Sequence, residues 1–90
     1  MAKILIVDDD AMILKLYSEI LSKEGFEVST AGDAKKGFDL AVSQAPDLVL
    51  LDVMMPEVDG TRAYECFSQD ARTKDIKVVF LTALVREEEV

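Results

Sequence analysis

Three consecutive carboxylates, Asp8, Asp9 and Asp10, stand directly behind the apolar run Ile4-Leu5-Ile6-Val7. Asp52 stands in the same way behind Leu48-Val49-Leu50-Leu51, and a hydroxyl, Thr82, stands behind Val78-Val79-Phe80-Leu81. Like charges repel, more strongly where the local dielectric is low. Acids at the ends of buried segments therefore call for a cation, and no Lys or Arg lies between Ile4 and Leu14 to supply one. Clustered oxygen ligands without His or Cys suit Mg²⁺ or Ca²⁺ and not Zn²⁺. So few carboxylates leave room for water and phosphate oxygens, which favours Mg²⁺.

Such a site exists only if the segments between these residues bring them together. The apolar runs are short and rich in aliphatic residues, as in strands buried on both faces. Between them lie helical patterns. Ile13, Leu16, Tyr17, Ile20 and Leu21 recur at three- and four-residue spacing and are expected to share one face, with Asp10 as the cap and Gly25 as the stop. Phe26–Ala31 alternates apolar and polar residues, which predicts a half-exposed strand at a sheet edge. Ala34, Gly37, Phe38 and Ala41 mark a second helix, ending before Pro46. Ala63, Tyr64 and Phe67 mark a third, on whose apolar face Cys66 is expected to sit as a small core residue. The segment ALVREEEV reads as the opening of a further helix. The alternation βαβαβαβ with short connections predicts a parallel sheet with helices on both faces and right-handed crossovers. Sites in such sheets form beyond the carboxyl ends of the strands, where Asp8, Asp9, Asp52 and Thr82 all fall.

Composition narrows the function. The chain has 90 residues, half of them apolar, which allows one small core. Its net charge of -8 argues against nucleic acid and against anionic membrane surfaces. No apolar run approaches the ~20 residues of a membrane span, and the N-terminus lacks the features of a secretory signal. With a single cysteine, these features predict a cytoplasmic protein.

The segments ILIVDDD, LVLLDVMMPEVDG and VVFLTA, in this order and spacing, closely resemble the receiver domain of bacterial two-component response regulators. The resemblance spans the chain, and the middle segment is its most specific part. It implies a flavodoxin-like, doubly wound α/β fold with strand order 2-1-3-4. It also implies phosphorelay signalling, in which Asp52 accepts a phosphoryl group from a sensor histidine kinase. Mg²⁺ would be held by Asp8, Asp9, Asp52 and the backbone carbonyl of Met54, with Asp9 as a direct ligand and Asp8 acting through water. Met55 would plug the core. Thr82 would sense the phosphoryl group and start the switch read by an unidentified effector, and the small Ala83 would leave the group reachable. The resemblance implies no turnover of an external substrate, so the chain is not expected to be an enzyme in that sense.

The family pattern continues with a fifth strand and a fifth helix. That strand carries an aromatic switch residue and ends on a lysine that pairs with the phosphoryl group. The sequence ends at Val90 before these, while Lys74 and Lys77 lie at the opposite end of their strand. The expectation is therefore a receiver domain over residues 1–90 that is incomplete at its C-terminus and impaired in phosphorylation. Strand 78–81 would be an uncovered apolar edge through which the chain dimerises or swaps elements. Two other readings stand beside this one. A Mg²⁺-dependent phosphatase or phosphotransferase would also use an aspartate nucleophile, but commonly needs a second acid where Met54 stands. A degenerate receiver used only for protein contacts would not need its Asp8, Asp9, Asp52 and Thr82.

Overall fold

The computed structural model describes residues 2–52 and 60–81, with the backbone alone for residues 60–63. Strands β1 (Lys3–Val7), β2 (Glu27–Ala31), β3 (Leu48–Leu51) and β4 (Lys77–Phe80) alternate with helices α1 (Ala11–Lys23), α2 (Ala34–Gln44) and α3 (Gly60–Gln69). All strand pairs are parallel, and the sheet order is β2-β1-β3-β4. This is the doubly wound order that the family resemblance implies, with β2 at one edge as its alternating pattern predicts. The segment expected to open a further helix lies outside the described residues.

Local chemistry sets the helix ends. The Asp10 carboxylate accepts the Met12 N–H at 2.9 Å and caps α1 as expected. Gly25 follows that helix at φ +94, a left-handed conformation that glycine adopts without steric cost. Asp33 caps α2 by accepting the Lys36 N–H at 2.8 Å. At the far end of α2, Ala45 is held in the left-handed region before Pro46.

The pleat of the sheet divides the core in two, because successive strand residues point to opposite faces. Leu5, Val7, Val49 and Leu51 meet Ala41 of α2 and Phe67 of α3 on one face. Ile4 and Ile6 point the other way, against Leu14, Tyr17 and Leu21 of α1. Burying a large aliphatic side chain contributes roughly 1.5–3 kcal/mol. The four buried aliphatic residues of β1 are therefore a principal source of the fold's stability.

Two inward faces differ from those the spacing predicts. Within α1, Leu14 takes the core position while Leu16 and Ile20 are 50% and 47% exposed; with exposed Met12 they form an apolar stripe at four-residue spacing. Apolar residues cover so much of the helix circumference that its rotation on the sheet is set by packing onto Ile4 and Ile6. In α3, Phe67 points into the core, whereas Cys66 is exposed. Adjacent helix residues are rotated by about 100°, so seating the larger Phe67 turns the Cys66 thiol outward. Tyr64, expected on the same face as Phe67, is 41% exposed and packs beside Phe80 of β4.

Gly37 shows how closely α2 approaches β1. A Cβ at this position would stand 2.6 Å from Val7 Cγ2 and 3.1 Å from Cγ1. Val7 is a stiff, β-branched residue with no exposed surface, so it cannot give way cheaply. Gly37→Ala is expected to destabilise the protein by about 1–3 kcal/mol through overpacking, despite alanine's higher helix propensity. Urea denaturation checks this, and equal midpoints for the two proteins would refute the close contact.

Candidate functional site

The strand register brings the acids level. Val7 pairs with Leu51, and Leu51 with Phe80. The ladder then continues one residue past each strand. Asp8 N–H donates to the Ala31 carbonyl at 3.1 Å, Asp52 N–H to that of Val7 at 2.9 Å, and Leu81 N–H to that of Leu51 at 3.0 Å. Asp8 and Asp52 thus leave adjacent central strands at one edge of the sheet, although 44 positions separate them in sequence. Oxygens of Asp8, Asp9 and Asp52 all lie within 4.8 Å of one another.

The three acids sit in different surroundings. Asp8 and Asp52 are buried, while Asp9 faces solvent. One oxygen of Asp8 accepts the Asp10 N–H at 2.9 Å, and the Asp8 side chain is hydrogen-bonded to Asp52. Burial pushes the Asp8 carboxyl up to about 7. The Asp10 N–H opposes that shift, and the charges of Asp52 and Asp9 add to it. Like charges this close add to the cost of ionising Asp8, a cost that a proton or a bound cation offsets.

The donors are hard oxygens, and the chain contains no histidine. This set fits a divalent ion of the Mg²⁺ class, which takes one or two carboxylates and retains waters. Of the residues expected at the site, Asp8, Asp9 and Asp52 are brought together as predicted. Met54 and Thr82 lie outside the described residues, as do Met55 and Ala83. Asp10 joins the site in a way that the sequence reading missed. Its side chain caps α1 while its backbone N–H orients Asp8. The Asp8–Asp9–Asp10 run holds the signal for this, since a carboxylate readily bonds a backbone N–H two residues on.

Residues 4–90 match the sequence profile of the response regulator receiver domain. The chain is 48% identical over 84 residues to the DNA-binding dual master transcriptional regulator RpaA of a Synechocystis species; the match covers 93% of this chain and 35% of RpaA. The chain thus spans about a third of the length of that relative. Among solved structures, it is similar to the N-terminal domain of a response regulator receiver protein from Methanoculleus marisnigri, at 37% identity and a TM-score of 0.89, covering 92% of this chain and 68% of that one. A second similar structure is the complex of histidine kinase ThkA with response regulator TrrA, at 36% identity and a TM-score of 0.83, covering 92% and 70%.

Proposed function

The chain belongs to the response regulator receiver domain family, and on that footing we propose that Asp52 accepts a phosphoryl group from a sensor histidine kinase. The observation that carries this reading is the convergence of Asp8, Asp9 and Asp52 at the carboxyl edge of the sheet, their oxygens within 4.8 Å. In the proposed reaction, an oxygen of Asp52 attacks the phosphorus of a phosphohistidine. The P–N bond breaks, its electron pair leaves on the imidazole nitrogen, and an aspartyl phosphate remains. Mg²⁺, when bound, offsets the repulsion between the carboxylate and the incoming phosphoryl oxygens.

The remaining roles fall to the chain's own residues. Asp9, facing solvent, would be the direct metal ligand, and Asp8, whose carboxylate accepts the Asp10 N–H, would act through water. The Met54 carbonyl would complete the coordination. Thr82 directly follows Leu81, whose N–H extends the ladder to Leu51, and its hydroxyl would bond a phosphoryl oxygen and pass the charge change to the surface. The TrrA structure is a complex with a histidine kinase, which supports a kinase as donor here. A net charge of -8 disfavours direct nucleic-acid contact, leaving output to an effector. Mass spectrometry after exposure to Mg²⁺ and a phosphoryl donor tests the assignment, as argued for Asp52→Asn below.

The same reading includes self-association. Among the described residues β4 pairs only with β3, and Val79 and Phe80 are 40% and 38% exposed. An apolar strand at a sheet edge is a template for another strand. The 90-residue chain is expected to dimerise through residues 78–81, by edge pairing or by exchange of elements. Light scattering coupled to size-exclusion chromatography should show mass rising with concentration. A constant monomer mass over the whole range would rule this out.

A further inference from the structure

Asp10 is the joint between the acids and α1, and three of its groups bond in three directions. Its N–H donates to an oxygen of Asp8 at 2.9 Å. Its carboxylate accepts the Met12 N–H at 2.9 Å, and its carbonyl accepts the Leu14 N–H at 3.1 Å. The backbone here is extended, at φ -93 and ψ 110, the ordinary conformation of a residue that caps a helix. The first bond belongs to the carboxylate site, and the other two belong to the helix.

As a metal ligand, Asp10 would have to bring an oxygen to the group formed by Asp8, Asp9 and Asp52, and it is not part of that group. Its carboxylate is turned to the Met12 N–H instead. The helix that starts there is held by Leu14, Tyr17 and Leu21, packed against Ile4 and Ile6. The direction of the Asp10 N–H is therefore set by the helix that its own side chain caps. Asp8, which is buried, receives a hydrogen bond from that N–H. Without the cap, an N–H of the first turn loses its partner and the helix end frays. The donor to Asp8 then loses its aim.

We propose that the Asp10 side chain is a positioning group for the metal site: by capping α1 it holds the backbone N–H that orients Asp8, and so raises Mg²⁺ affinity without touching the ion. The inference rests on reading these acids as a Mg²⁺ site, and not on phosphoryl transfer.

The test compares two neutral variants, Asp10→Ala and Asp10→Asn. Both remove the same charge, but asparagine still caps a helix and alanine does not. Asp10 is exposed, so neither substitution opens a cavity and both variants fold. Mg²⁺ titration of the 90-residue chain, followed by NMR, reads affinity in the folded state, where a loss of stability alone has no effect. Asp10→Ala should bind Mg²⁺ about tenfold more weakly than Asp10→Asn, the low end for loss of a group that orients a metal ligand. In the metal-free protein, hydrogen exchange at the residue-10 amide should be protected in Asp10→Asn and unprotected in Asp10→Ala. Equal Mg²⁺ affinities for the two variants overturn the proposal, because Asp10 then acts by charge alone or not at all. So does equal protection of that amide. Should the chain bind Mg²⁺ with this dependence and yet take up no phosphoryl group, the phosphoryl reading fails and this inference stands. A parent chain that binds no Mg²⁺ ends both.

Discussion

Asp52→Asn is expected to abolish phosphoryl uptake, lowering it roughly a thousand-fold or more relative to the unmodified chain, as removal of a nucleophile does. The amide has nearly the shape of the carboxylate but does not attack phosphorus. The backbone of Asp52 extends the ladder to Val7, and the substitution leaves that N–H in place. It also removes one of the carboxylates whose mutual repulsion raises Asp8. The variant should therefore fold at least as stably as the parent, so that loss of uptake is not loss of structure. Intact mass after incubation with Mg²⁺ and acetyl phosphate would read uptake, and urea denaturation would read stability. Equal uptake by the two proteins would dismiss Asp52 as the acceptor.

The second large effect is on the pH dependence of stability in the absence of metal. The Asp8 carboxyl is raised from its ordinary 3.8 to about 7, first by burial and then by the charges around it. Between those values the folded protein retains a proton that the unfolded chain has released. Stability therefore falls as pH rises through this window, by up to ~1.4 kcal/mol per pH unit, and levels off above it. Asp8→Asn carries no such proton, so its slope should be shallower and the variant should be more stable than the parent above about pH 7. Added Mg²⁺ has to displace the same proton, so its stabilisation of the parent should grow with pH across the window. The variant should gain little from the ion at any pH. Urea midpoints at stepped pH, with and without Mg²⁺, measure both effects. Parallel pH profiles for parent and variant would show that Asp8 does not hold this proton, and equal Mg²⁺ stabilisation would remove it from the metal site.

Much of the fold was legible because strand and helix periodicities differ and the apolar runs are short. Ile4–Val7 and Leu48–Leu51 fall within or coincide with their strands, and Asp10 and Gly25 mark the bounds of α1. The carboxylate cluster was legible for a different reason. Parallel strands align their carboxyl ends, so an acid behind each central run implies a shared edge. The inward faces of the helices were harder to read. In α1 the apolar stripe is broad enough to allow more than one rotation, and the choice of Leu14 over Leu16 depends on the strand beneath it. For Cys66 the local pattern offered no discrimination, since the competing occupant of the core was its own neighbour Phe67.

The sequence by itself thus determined the order of elements, the caps, and which residue types stand at the strand ends, because these follow from local propensity and from the period of the apolar pattern. Tertiary structure alone decided that Asp8 is buried and Asp9 exposed, and that Asp8 is bonded to the Asp10 N–H and to Asp52. Burial and charge coupling depend on distances between residues far apart in the chain, and no local spacing encodes those distances until the sheet sets its register.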